Sequence, residues 1–369
     1  MKIFITYQYF LPAYKAGGPI QSLDNLVNAY AKPNYFIYCS NKDIDGRVLT
    51  EVAHDTWVDY SSNTKVFYSS DDGKELYQEL ENVRPDVIFA NGLFSYPFSI
   101  KPIMWNGNSR KILSVRGMLH PGALSQKSFK KKLFLSGFRL LGLNKKCEFH
   151  ATTSEEADYT KGVLGNDSKV WVARNFPKQL LPVTPLAKQA GQLLLVTVAL
   201  ISPMKNIKLV LEALQKSTSK ITYNLYGPVK DVEYWQDCQV LLNAMPANVT
   251  VQYNGALDPK DVEAVLANNH CFIMPSKSEN FGHAIVEALS IGRPVITSMF
   301  TPWNGLESAE AGYNVDNSNV DTITKAIESV AVMNNGEYGH WSKGAMAYAK
   351  SKINLEDIAN EYKAMFQLQ

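Results

Sequence analysis

Glu279 and Glu287 stand eight positions apart around the triplet Phe281-Gly282-His283, a spacing suited to holding a charged, hydroxyl-rich ligand. Glycine lets backbone N–H groups come close to a ligand. A helix starting there offers unpaired N–H groups and the positive end of its dipole, and both favour an anion. A phosphate would sit on the amides near Phe281–His283, and the two carboxylates would accept hydrogen bonds from hydroxyl pairs on either side of it. A nucleotide-sugar has that layout: a sugar diol, a diphosphate and a ribose diol. A surface βα unit with two solvated glutamates has the same spacing.

The elements that must position these groups are legible around them. Cys271–Met274 is a short apolar run stopped by Pro275, which predicts a buried parallel strand. Ser276–Asn280 reads as polar loop and Gly282–Ile291 as a short helix, with Gly292 as its C-terminal cap and Pro294 just beyond. Val295–Thr297 opens the next strand. In an open parallel sheet, ligands bind outside the carboxyl ends of the strands. Two further stretches fit that rule. Gly17-Gly18, ahead of a helix predicted over Ile20–Ala31, can cradle phosphate or make a simple turn. Arg116, at the end of the predicted strand Lys111–Val115, is placed to meet phosphate or an anionic acceptor, or is an ordinary surface arginine.

The run Ser276-Lys-Ser-Glu279-Asn-Phe-Gly282-His-Ala-Ile-Val-Glu287-Ala-Leu-Ser-Ile-Gly-Arg-Pro-Val resembles the Glu-x7-Glu signature of retaining family 4 glycosyltransferases. The resemblance implies an α/β protein of GT-B fold: two doubly wound Rossmann-like domains facing each other across a cleft. It implies transfer of a sugar from a nucleotide-sugar to a glycan or lipid-linked glycan, with anomeric retention, in cell-surface polysaccharide or lipopolysaccharide synthesis. Glu279 would read the donor sugar and Glu287 the ribose, with Phe281, Gly282 and His283 on the phosphate side. In the family, the turn after the next domain's first strand holds an arginine and then a lysine on the diphosphate. Lys205 and its neighbour Asn206 match the second place, but Ala199 stands at the first, so Arg116 is a candidate for the missing charge. Gly17 and Gly18 match the loop that closes over the donor phosphates, and Gly227 and Gly255 match strand ends that wall the base pocket. Asn91, where many relatives have histidine, and His120 in Arg116-Gly-Met-Leu-His are acceptor-side candidates. No cofactor and no metal are implied, because helix dipole and cations do the phosphate work. Ala199 also leaves open a catalytically silent homologue that binds nucleotide-sugar or glycan as a partner subunit, and a sugar-nucleotide epimerase of the same fold would lack the Glu-x7-Glu pattern.

Length and composition agree with two soluble domains. A chain of 369 residues exceeds what one core usually organises, and 46% hydrophobic with 20% charged is ordinary for a globular protein. A net charge of +2 argues against general nucleic-acid binding. Cys39, Cys147, Cys238 and Cys271 are far apart, which points to a reduced, cytoplasmic protein rather than a disulfide framework or zinc site. Domains are expected at 1–178 and 179–354, with Pro177, Pro182 and Pro185 marking the linker and a last helix near 355–369 returning to the first domain. Thr153-Ser-Glu-Glu156 has capping-box spacing, 340–369 has helical periodicity, and Trp303 reads as packing.

One stretch is not absorbed by this scheme. From Val87 to Cys147 there are 61 residues without Asp or Glu and with eleven Lys and Arg, seven of them within 127–146 and interleaved with Phe129, Leu133, Phe134, Leu135, Phe138, Leu140 and Leu141. A basic stretch with an apolar face predicts contact with an anionic membrane surface, here the inner face of the cytoplasmic membrane. A solvated basic face with its apolar residues in the core has the same composition.

Overall fold

The computed structural model describes residues 1–125, 128–180 and 183–368; Lys127 of the basic stretch and Pro182 of the linker lie outside them. The chain divides into two compact units, Met1–Phe176 with Leu355–Gln369, and Pro177–Asn354.

The first unit is built on eight strands: β1 (Lys2–Thr6), β2 (Asn34–Ser40), β3 (Trp57–Ser61), β4 (Thr64–Ser69), β5 (Val87–Asn91), β6 (Arg110–Ser114), β7 (Glu148–Ala151) and β8 (Val170–Val172). Their order is β3-β4-β2-β1-β5-β6-β7-β8. The pairings are parallel except for β3 with β4. Ile3, Phe4, Ile5, Ile88 and Phe89 are all fully buried, as strands covered by helices on both faces require. The strand order reverses between β1 and β5, and that reversal opens a crevice at their carboxyl ends. Strand β3 is short and stands at the edge of the sheet. It exists because Trp57 packs its ring on Phe4, Phe36 and Phe67, a tertiary gain invisible in local sequence.

The second unit carries β9 (Gln192–Val198), β10 (Lys220–Tyr226), β11 (Val249–Tyr253), β12 (Cys271–Met274), β13 (Val295–Ser298) and β14 (Gly312–Val315). These form an all-parallel sheet in the order β11-β10-β9-β12-β13-β14, reversing between β9 and β12. The helix Ile207–Gln215 presents Ile207, Val210, Leu211 and Leu214 to this core, the i, i+3, i+4, i+7 stripe of an amphipathic helix.

The structure divides the C-terminal periodicity and corrects the expectation at Thr153. The periodic stretch 340–369 is two helices, Asn335–Lys352 and Leu355–Phe366, and their apolar faces enter different cores. Ala345, Tyr348 and Ala349 pack in the second unit, whereas Ile358, Tyr362, Met365 and Phe366 complete the first. The capping box expected at Thr153 is half made. Thr153 Oγ1 accepts from the N–H of Glu156 at 3.1 Å, but the Glu156 carboxylate turns away to Thr152 and Gly117. A complete box stands instead at Asn334 and Glu337.

Phe366 is fully buried, with its ring 5.6 Å from Phe89 and 5.8 Å from Tyr362. Phe366→Ala is expected to destabilise the first unit by about 3–5 kcal/mol, read by urea unfolding. A loss below about 1 kcal/mol would mean that the last helix is not part of that core.

Candidate active site

Two loops follow the pair of strands at which the second sheet reverses. After β9 the chain passes Ala199, makes a single 3-10 turn at Pro203–Lys205, and reaches Asn206 in the left-handed region at φ 60° before the helix Ile207–Gln215. After β12 it passes Pro275 and Glu279 and reaches Gly282 at φ 75°, the N-cap of the helix His283–Ser290. The loops are fastened to each other. Lys277 N–H donates to the Met204 carbonyl at 2.9 Å. The Asn206 side-chain amide donates to the carbonyls of Pro275 at 3.2 Å and Asn317 at 2.8 Å, and Asn317 donates in turn to the Ser276 carbonyl at 3.0 Å. Asn206, predicted to touch the donor, therefore spends both amide hydrogens on the frame. Asn317 carried no sequence signal, since it sits in an ordinary polar stretch.

Inside this frame the Lys205 ammonium is ion-paired with Glu279 Oε1, and Ser276 Oγ donates to the same oxygen at 3.0 Å. Both charged side chains are largely buried yet reach solvent. The sequence assigned Lys205 and Glu279 to different parts of one ligand; the fold puts them in direct contact. Ser276 is a member of this cluster that spacing did not single out. Glu279 N–H donates to the Phe300 carbonyl at 3.0 Å, which fixes the backbone beneath the carboxylate. Phe281 packs 4.8 Å from the His283 ring and 5.7 Å from Trp303, whose indole N–H donates to the Phe281 carbonyl. Trp303 is buried packing, and it also holds the loop ahead of the helix N-terminus.

Glu287 lies in the second turn of that helix and is only 3% exposed. Its Oε1 has no hydrogen-bond partner among the described residues. Burial pushes its carboxyl up to about 7, with Lys178 opposing and Glu263 adding to the shift. A buried acceptor left in this state costs stability unless a donor reaches it. Gly227 and Gly255 are joined by a backbone hydrogen bond of 2.6 Å. Gly227 is required there, because a Cβ on it would lie 1.7 Å from the carbonyl oxygen of Ala199.

The remaining candidates belong to the first unit. Gly17, at φ 84°, is the N-cap of the helix Gly18–Ala29, which follows the β1 loop. Arg116 Nε and Nη2 donate to Asn91 Oδ1 at 3.0 and 2.8 Å, and Nη1 donates to Asn175 Oδ1 at 2.8 Å. It is thus a half-buried, anchored group and not a solvated surface arginine. His120 accepts from Gly122 N–H at 3.1 Å and packs 5.3 Å from the Tyr159 ring.

The Glu287 titration has a defined sign. The folded state holds a proton that the unfolded chain releases near 4.5, so stability is full below pH 4.5 and is lost as pH rises through about 7. Glu287→Gln should remove that loss. Relative to wild type, the variant is expected to gain about 3 kcal/mol between pH 4.5 and pH 8 in denaturant unfolding. An equal difference at both pH values would show that Glu287 titrates normally.

Residues 184–345 match the family model described as glycosyl transferases group 1. The O-antigen chain mannosyltransferase B of Escherichia coli is 29% identical over 157 residues, covering 41% of this chain and 40% of that relative's length. Among solved structures, sucrose-phosphate synthase from Thermosynechococcus elongatus gives a TM-score of 0.77 at 14% identity, covering 99% of this chain and 98% of that one. Anabaena HepE, solved in complex with UDP and glucose, gives 0.74 at 17% identity and covers 100% of both chains. At such identities the structural likeness establishes the fold, while the family model speaks for the sequence of the second unit. The fold is therefore GT-B, and the sequence of residues 184–345 is similar to that of the glycosyl transferases group 1.

Proposed function

We propose that the chain is a retaining glycosyltransferase that moves a sugar from a nucleotide-sugar to a glycan or lipid-linked glycan, in cell-surface polysaccharide or lipopolysaccharide synthesis. The observation that carries this reading is the Lys205–Glu279 contact at the carboxyl ends of β9 and β12. Cleaving the bond between a sugar and a diphosphate calls for a phosphate cation and a hydroxyl acceptor side by side, and the ion pair supplies both. The amides near Gly282 and Lys205 take the diphosphate, Glu279 takes the sugar hydroxyls, and Glu287 takes the ribose hydroxyls. In the reaction, the C1–oxygen bond to the diphosphate breaks as the acceptor oxygen bonds C1 on the same face, and the acceptor proton passes to the departing phosphate. No cofactor or metal enters this scheme; catalysis rests on positioning and on stabilising the leaving group. The Escherichia coli relative is named for O-antigen synthesis, and the Anabaena structure holds UDP and glucose, which supports this donor and acceptor class.

We further place the enzyme on an anionic membrane, at the inner face of the cytoplasmic membrane, through the helix Ser128–Leu140 and the turn after it. Leu135 and Phe138 enter the core, but Phe129, Leu133, Leu140 and Leu141 are 79, 67, 88 and 66% exposed. Phe129, Leu133 and Leu140 fall on one helical stripe, and Lys130, Lys132, Arg139, Lys145 and Lys146 are exposed around it. An apolar stripe rimmed by cations suits a headgroup boundary. Lys131 differs from its neighbours, because its ammonium donates to the Ala123 carbonyl and lies over the Phe94 ring. Among the described residues, no helix is long and apolar enough to cross a membrane.

Glu279→Gln is expected to lower turnover more than nucleotide affinity, and Lys205→Ala to cost about 2–4 kcal/mol of transition-state stabilisation. Both are read from kcat and KM once a thermal-shift screen of nucleotide-sugars has found the donor, with chelator present throughout and without effect. Two variants with wild-type kinetics would overturn the site. For the membrane contact, co-sedimentation with anionic liposomes should fall with salt and with Lys130→Glu, Lys132→Glu and Arg139→Glu combined. Absence of binding at low salt would favour a soluble acceptor.

A further inference from the structure

Of the two cations in the candidate set, Lys205 is ion-paired with Glu279, whereas Arg116 has no ion-pair partner among the described residues. Its guanidinium is held by two neutral amides, Asn91 and Asn175, through three of its five N–H groups, so two remain to donate. Asn91 is itself buried and oriented, since its amide nitrogen donates to the Phe89 carbonyl at 3.0 Å and leaves the oxygen for Arg116. Two arginines of the same unit are treated differently: Arg110 pairs with Glu148 and Arg174 with Glu361. The neighbouring carboxylate, Glu156, attracts Arg116 through space, but its oxygens accept from Gly117 N–H and from the N–H and hydroxyl of Thr152. His150 adds no charge. It is fully buried, donating to the Ala173 carbonyl and accepting from Ser114, and desolvation with the nearby Arg116 pushes its pKa down to about 3.

The anchoring is elaborate for a structural staple. Arg116 sits in the left-handed region at φ 49°, a position that costs a non-glycine residue conformational energy, and Gly117 follows at φ 73°. The turn is secured by Met118 N–H to the Val115 carbonyl at 3.0 Å. Asn91 ends β5, one side of the crevice where the first sheet reverses, and Arg116 follows the adjacent β6. A planar guanidinium held by neutral groups keeps its full charge and a fork of donors, the geometry that matches an oxyanion.

We propose that Arg116, held by Asn91 and Asn175, forms an oxyanion site on the first unit that takes a phosphate group. The phosphate is one carried by the acceptor. The site itself rests on the geometry of the first unit and stands apart from the nucleotide-sugar reading of the second.

The test is a titration of the full chain with inorganic phosphate at low ionic strength, followed by NMR of the arginine Nε–H signals, with Arg116→Lys used to assign the signal. The Arg116 signal should shift saturably in wild type and in Lys205→Ala. Asn175→Asp puts a carboxylate of nearly the same shape on the guanidinium, cancelling its charge without removing the anchor. It should weaken phosphate binding at least tenfold at this signal. An Arg116 signal that does not respond to phosphate, or responds equally in Asn175→Asp, would overturn the proposal, while leaving the Lys205–Glu279 reading intact. The same titrations with UDP and GDP separate the sources. Nucleotide affinity that falls in Lys205→Ala and not in Asn175→Asp is the result expected, and a fall of nucleotide affinity in Asn175→Asp would overturn the assignment to the acceptor.

Discussion

Everything the second unit can do to a ligand depends on the fastening of two loops that are distant in sequence. Strand β9 lies beside β12 in the sheet, and the backbone bond from Lys277 to Met204 ties the loops that leave those strands. Asn206 and Asn317 stitch the same seam with side-chain amides. Loops are ordinarily the mobile parts of a domain, and function placed on them needs a rigid scaffold. Here the scaffold is extended into the loops themselves, so Lys205 and Glu279 meet without either side chain having to search for the other. Long charged side chains lose rotamer freedom when they pair, and a fixed backbone beneath them reduces that cost.

The two units handle buried charge in opposite ways. In the second, Lys205 and Glu279 neutralise each other, and Glu287 Oε1 is a buried acceptor without a hydrogen-bond partner among the described residues. In the first, Arg116 is kept cationic by amides that accept its hydrogens but carry no charge. Buried polar groups are expensive when unsatisfied, and charged ones more so. Their retention at the carboxyl ends of parallel strands, where such sheets bind ligands, is economical only if something else completes them. Elsewhere a buried cation is satisfied internally: the Lys188 ammonium donates to three carbonyls.

The helix Ser128–Leu140 shows how one composition can hold two physical roles. Both readings of the basic stretch are partly realised, since Leu135 and Phe138 belong to the core while Phe129, Leu133 and Leu140 do not. Composition counts apolar residues, whereas helical phase decides which face each one joins. That phase could not be assigned without knowing which neighbour the helix packs against.

What the sequence determined by itself was local. Strong apolar runs ended by a breaker, such as Cys271–Met274 before Pro275, appear in the fold with the bounds read from sequence. The Glu-x7-Glu run likewise pointed to the family that residues 184–345 match. The tertiary structure decided the rest. The ion pair joins residues 74 apart, and the strand β3 is held by aromatic rings from other strands. Each of these depends on strand order and on which surfaces are brought together. Periodicity reports that a residue has an apolar face to bury or a charge to place, but the partner that receives it is set only when the sheet has closed around it.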